Sequence, residues 1–203
     1  NTVQGNIIGL NAAGNSPLPN TTAGIVLSSS SNNIIGGSEP GAGNLISFNG
    51  GPGVSISSGT GNSILGNSIF SNGGPGIDLS PAGVTANDPE DEDIGANNLQ
   101  NFPLLSSVTA DASSTTIQGT LNSKPNTVFR IDFYSNAACD PSGNGEGARF
   151  FDTTNVSTDA NGNAPINFVS SIILTSGRVI SATATDPAAN TSEFSPCHST
   201  NPP

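Results

Sequence analysis

Between Asn87 and Asn97 the chain reads NDPEDEDIGAN, and five carboxylates fall within the six residues from Asp88 to Asp93. Hard oxygen donors at alternate positions, Asp91 and Asp93, followed by Gly95 and flanked by Asn87, Asp88 and Asn97, are the ligand chemistry of a calcium loop. D-x-D-x-G is only part of that pattern, and a solvated acidic linker has the same composition, so two readings stand. Carboxylates this crowded repel one another unless an ion neutralises them, which favours calcium as the cofactor.

Other reactive residues are few. Cys139 and Cys197 lack metal-type spacing, and in a low-charge, secreted-type composition a disulfide is their expected use. Closing that loop contributes about 4 kcal/mol on the chain-entropy argument. His198 is the sole histidine and sits beside Cys197 near the end of the chain, where it reads as a surface residue. No enzyme is expected: residues 1–83 contain no Lys, Arg or His, and their only acids, Glu39 and Asp78, share no repeat register. A polysaccharide lyase needs cations against the substrate carboxylate, and a glycosidase needs a carboxylate pair. N-x-S/T triplets at Asn20, Asn155 and Asn190 leave glycan attachment open.

The elements that must position these residues are read from a repeat. NSILGNSIFSNGGPGIDL, residues 62–79, has two degenerate copies upstream. Asn62 aligns with Asn32 and Asn1, Asn67 with Asn44 and Asn6, and Asn72 with Asn49 and Asn11. Ile77 and Leu79 align with Val54 and Ile56 and with Ile25 and Leu27. A unit spanning 23 residues from Asn49 to Asn72 is too short for its own core, so it must bury apolar residues against its neighbours. Stacked coils about 4.8 Å apart then give inward ladders: Val3/Ile34/Ile64, Ile8/Ile46/Ile69, Ile25/Val54/Ile77 and Leu27/Ile56/Leu79. The asparagines form ladders at corners, where a left-handed backbone is tolerated and amides bond from coil to coil. Insertions after Asn11 and after Gly36 fall at corners and leave the strands intact.

Beyond Pro103 the pattern changes to longer alternating strands at 104–110, 115–121, 127–135, 148–158, 164–170, 178–185 and 191–197, separated by turn signals such as Asn161-Gly162 and Asp186-Pro187. The expected fold is all-β: a short right-handed parallel β-helix of three coils followed by an immunoglobulin- or fibronectin-like β-sandwich. The divisions are 1–83 for the coils, 84–102 for an acidic connector, 103–198 for the sandwich and 199–203 for a tail.

The net charge of −11 argues against nucleic acid or an anionic membrane surface as partner. No apolar run approaches a membrane span, and nothing at Asn1 resembles a signal peptide, so the chain reads as a mature or trimmed product. The coil motif resembles that of bacterial secreted right-handed parallel β-helix repeat proteins. GIDLSPAGVTANDPEDEDIGANNLQNFP, TLNSKPNTVFRIDFYSNAACDPSGNGEGARF and TATDPAANTSEFSPC resemble the block that follows such repeats in large bacterial surface proteins. The resemblance implies export to the cell surface within a multidomain parent, and it brings no catalytic residues. The function expected is an extracellular structural or adhesive module; the alternative is a carbohydrate-binding or polysaccharide-acting β-helix, with glycans as partners. Val3 and Ile8 form an open assembly edge, whose expected partners are upstream repeats or other copies of the chain, head-to-tail.

Overall fold

A computed structural model describes residues 1–200. The first part is three coils of three short strands. Coil one holds β1 (Thr2–Val3), β2 (Ile7–Ile8) and β3 (Ile25–Leu27); coil two holds β4 (Ile34–Gly36), β5 (Leu45–Ser47) and β6 (Val54–Ile56); coil three holds β7 (Ser63–Leu65), β8 (Ser68–Phe70) and β9 (Ile77–Leu79). Strands in equivalent positions pair in parallel, giving sheets β1-β4-β7, β2-β5-β8 and β3-β6-β9. Single strands of two or three residues cannot hold a sheet alone; stacking buries Ile46, Val54, Ile56, Ile64, Ile69, Ile77 and Leu79 between coils.

The registers through β2 and β3 are those read from the repeat: Ile8, Ile46 and Ile69 stack, as do Ile25, Val54 and Ile77. The β1 ladder is slipped by one. Ile35, fully buried, pairs with Val3 and Ile64, while Ile34 faces solvent at 45% exposure. The segment SNNIIGG doubles Asn, Ile and Gly, so two registers fit the sequence equally well. Asn32 takes a left-handed φ of 58° at the corner, which makes Asn33 the rung against Asn62 and Asn1.

A second rung also differs. Asn20, not Asn11, donates its amide to Asn49 Oδ1 at 2.8 Å. The insertion leaves before that corner and closes on itself through a Leu10–Pro17 bridge, so Asn11 bonds locally to Asn15. The ladder asparagines themselves are not left-handed. The strained positions precede them: Gly5, Asn32, Phe48, Gly61, Gly66 and Ser71 all have φ between 54° and 69°, ahead of Asn6, Asn33, Asn49, Asn62, Asn67 and Asn72. At Gly66 a Cβ would also lie 2.4 Å from the Gly37 carbonyl oxygen, so only glycine fits.

The second part is a sandwich. β10 (Leu104–Ala110), β11 (Thr115–Asn122) and β14 (Asn163–Ser170) form one antiparallel sheet; β12 (Val128–Asn136), β13 (Arg149–Ser157), β15 (Val179–Thr185) and β16 (His198–Ser199) form the other, in the order β13-β12-β15-β16. Val108, Ile117, Phe129, Ile131, Phe133, Ile166 and Ile180 fill the space between them. Alternation along β12 sends Phe129, Ile131 and Phe133 into this core. Toward the C-terminal end of β12 the opposite face is covered as well, because Tyr134 joins the solenoid core together with Phe194, while Val128 and Arg130 at the other end remain open to water.

Residues 191–197 are not the expected sheet strand. They bond to β15 only at intervals, through Ser192 N–H to Ala184 O and Ser195 N–H to Ala182 O, and otherwise turn toward the solenoid. The last strand is the short β16 beyond them. Cys139 and Cys197 are disulfide-bonded, with Cα atoms 5.8 Å apart, tying the β12–β13 loop to the end of the sandwich.

Candidate functional site at the joint

The last coil exposes backbone amides and carbonyls that no further coil satisfies, and the following residues cover them one by one. Asn62 N–H donates to Asn97 Oδ1 at 3.1 Å, and Asn97 Nδ2 donates to Asn62 O at 2.7 Å and to Thr191 O at 3.0 Å. Gly61 N–H reaches Asn190 Oδ1, Ile64 N–H reaches Thr191 Oγ1, and Ile69 exchanges both backbone bonds with Gly147. Glu146 receives Asn72 N–H. Glu193, only 2% exposed, accepts Leu79 N–H on one oxygen and Thr85 N–H on the other, each at 2.8 Å. Acceptors from the sandwich thus meet donors of the coil edge, which removes the unpaired-edge hazard at this end.

Burial pushes the Glu193 carboxyl up to about 7, against the lowering effect of its two backbone donors and with a further raise from the Asp78 charge nearby. Asp78 is raised by burial too, and Gly83 N–H partly offsets this. Burial likewise raises Glu146. This carboxylate pair, Asp78 and Glu193, was not visible in the sequence. A lone Glu in a Ser/Thr/Asn-rich segment was the available signal.

Beside the plug, the connector folds so that Asp88, Asp91 and Asp93 each offer an oxygen within 4.8 Å of the others. Two turns of 3-10 helix, Pro89–Asp91 and Ala96–Leu99, contain five left-handed non-glycine residues, Glu90, Asp91, Asn97, Asn98 and Leu99. Such backbone is sparsely populated and persists only where surroundings enforce it. Asn101 supplies much of that enforcement: its Oδ1 receives Asp88 N–H, and its Nδ2 donates to Asp88 O and Asn122 O.

Asp91 is held by Asn101 N–H at 2.9 Å and Ser123 Oγ at 2.6 Å. Asp88 Oδ2 receives Glu92 and Asp93 amides. Asp88 Oδ1 and Asp93 Oδ1 are buried and have no hydrogen-bond partner. Burial raises Asp91 and Asp93, and the charge of Asp88 adds to both; Lys124 lowers Asp91. Two orphaned carboxylate oxygens beside a third carboxylate fit a hard cation with oxygen ligands.

Of the expected ligands, Asp88, Asp91 and Asp93 are brought together. Asn87 and Asn97 are engaged elsewhere: Asn87 pairs both its amide atoms with the Phe102 backbone, and Asn97 caps the coil. Val3 and Ile8 lie half-buried on the uncovered face of coil one. Glu39 is exposed in the 37–43 loop, apart from buried Asp78. His198 lies in β16, its Nδ1 by Ser199 O. Of the glycan triplets, Asn155 is exposed, Asn20 is bonded to Asn49, and Asn190 is buried against Asp186. No protein-family model matches the chain, and no curated protein matches it. No helix is long and apolar enough to cross a membrane among the described residues.

Proposed function

We propose that the chain is an extracellular structural or adhesive module of the kind found in the bacterial β-helix surface proteins it resembles: a short rigid solenoid sealed by a fibronectin-like sandwich, with calcium stiffening the joint. The observation that carries the reading is the shared core. Tyr134 and Phe194 of the sandwich and Ala96 of the connector pack with the coil isoleucines, so load on one part is transmitted to the other without a flexible hinge. The disulfide supports an oxidising, extracellular setting. Calcium would be held by Asp88, Asp91 and Asp93, where it would neutralise three converging carboxylates.

The working partner of this module is another coil of like kind. Each ladder asparagine donates toward the next coil's Oδ1, as Asn44 does to Asn67 and Asn6 does to Asn44. The uncovered face therefore presents Asn Oδ1 acceptors above the half-buried Val3, Ile8, Ile25 and Leu27. A coil running in the same direction supplies the matching donors. A second copy cannot supply its own last coil, because that coil lies under its sandwich, so added coils fit this face better than head-to-tail copies.

Fusing a copy of residues 33–61 directly before Asn1 tests this. The extended protein should stay monodisperse and melt at a higher temperature, and the gain should vanish when the inward isoleucines of the added coil are changed to Asp. An unchanged or lower melting temperature overturns the reading.

A further inference from the structure

Coil two carries an insertion, SEPGAG at 38–43, that the solenoid does not need. Gly37 and Asn44 flank it, whereas coil three turns the same corner with Gly66 directly before Asn67. The insertion is nonetheless held firmly. Ala42 N–H donates to Glu39 O at 3.0 Å and Gly41 has φ 81°, as in a type II turn with Pro40 and Gly41 at its centre. Gly5 N–H donates to Ala42 O at 3.1 Å, and Gln4 Nε2 to Gly36 O at 2.8 Å. Glu39 stands exposed on this turn, and its carboxylate forms no ion pair among the described residues.

The turn faces β12 and β13 across a hollow of about 430 Å³, with Glu39, Gly41 and Gly66 in one wall and Arg130, Thr153 and Phe150 in the other. The register puts the three sandwich residues on one side of their sheet. Phe150 lies opposite Tyr134 and Thr153 opposite Asp132, while Arg130, Asp132 and Tyr134 alternate with the core residues of β12. Tyr134 packs into the solenoid core, so this is the side that the solenoid faces. The Phe150 ring is 37% exposed and set edge-on to Tyr134, with centroids 5.9 Å apart.

Arg130 is aimed by a buried charge. Its Nε donates to Asp132 Oδ1 at 2.7 Å, which leaves the two terminal nitrogens of the fork for another acceptor. Asp132 is 1% exposed and its Oδ2 has no hydrogen-bond partner. A buried carboxylate of this kind contributes little to stability, because desolvation offsets the attraction of its partner. What it does supply is a fixed direction for Arg130.

We propose that this hollow binds a neutral pyranose sugar, with the Phe150 ring against the apolar face of the pyranose and with Arg130 and Glu39 on hydroxyls at opposite edges. Domain interfaces are favoured places for small-molecule pockets, and a hollow of this size is within their usual range. The charges select the ligand. Asp132 neutralises Arg130 and Glu39 adds a negative charge, in a chain whose net charge is −11, so an acidic sugar is repelled. A cation would meet Arg130, and a wholly apolar ligand would strand both the Arg130 fork and the Glu39 carboxylate. An uncharged polyol with one apolar face leaves none of these groups unpaired. The inference goes beyond the structural role proposed above and does not depend on it.

Calorimetric titration of the full chain with methyl glucoside, methyl galactoside and methyl mannoside, and with methyl glucuronide as the charged comparator, decides it. At least one neutral glycoside should bind at millimolar concentration, with little dependence on salt and at least about tenfold more tightly than the glucuronide. Deleting residues 38–43 joins Gly37 to Asn44 as Gly66 is joined to Asn67, and should abolish binding while the chain still melts cooperatively. Glu39→Ala, at an exposed turn, should weaken binding by about tenfold at an unchanged melting temperature. Phe150→Leu should weaken it severalfold. These two variants decide the matter if the deletion does not fold. No binding of any neutral glycoside, glucuronide binding as tight as theirs, or undiminished binding by the folded variants overturns the proposal.

Discussion

Asn97 Oδ1 accepts the Asn62 amide at 3.1 Å while Asn97 Nδ2 donates to the Asn62 carbonyl at 2.7 Å, so one connector side chain closes an asparagine ladder that starts at Asn1 and passes through Asn33. Asn97 is fully buried, and truncating it leaves the Asn62 amide and two carbonyls without partners. Asn97→Ala should therefore cost about 2–4 kcal/mol in urea unfolding. Asn6→Ala, at an exposed rung, should cost less than about 1 kcal/mol.

The slipped register in coil two gives a contrast between neighbours. Ile35 is sealed between Val3 and Ile64, whereas Ile34 points to solvent. Ile35→Ala should destabilise by about 2–4 kcal/mol, and Ile34→Ala should stay within about 0.5 kcal/mol of the parent. Equal losses at the two positions would place Ile34 in the core after all.

The Glu193 carboxyl titrates near 7 when folded against an ordinary 4.5, so the folded chain holds that proton more tightly than the unfolded one. Its contribution is complete below about 4.5 and is lost as pH rises through about 7. Asp78, Asp91 and Glu146, also raised by burial, push the same way above their ordinary values. The urea midpoint should therefore fall between about pH 5 and pH 8, at no more than about 1.4 kcal/mol per pH unit for a single group. Glu193→Gln should make that fall shallower; an unchanged slope would assign it to other groups.

Architecture was legible because apolar periodicity survives in single residues: Ile8, Ile46 and Ile69 stay in phase across two insertions, and the strands of the sandwich alternate around Phe129, Ile131 and Phe133. Register was ambiguous where the sequence doubles itself, as at Asn32-Asn33 and Ile34-Ile35. There the choice is made by which residue takes the left-handed corner, a tertiary decision. Residues 191–197 read as a strand because they follow the Asp186-Pro187 turn signal, yet Thr191, Glu193 and Phe194 are all spent on the solenoid. The three aspartates of the connector were readable from spacing. Asn87 and Asn97 were not separable from them, since an amide that caps backbone and one that binds an ion look alike in sequence.

Calcium is the remaining test of the joint. Asp88 Oδ1 and Asp93 Oδ1 are buried without partners and lie in one cluster with Asp91, so the ion-free loop carries unscreened repulsion that a divalent cation would relieve. Added calcium should raise the melting temperature in a concentration-dependent way, since a ligand that binds only the folded chain stabilises it by mass action. Asp93→Asn separates this from a general salt effect. It removes one charge and one ligand oxygen without breaking a side-chain hydrogen bond, so the calcium-dependent rise should vanish while the calcium-free melting temperature stays level or increases. Asp91→Asn is the contrasting variant. Asp91 also holds Asn101 and Ser123, so its loss should lower the calcium-free melting temperature as well. A parent protein whose calorimetric titration shows no heat and whose melting temperature ignores calcium would leave the cluster as an acidic turn held by Asn101.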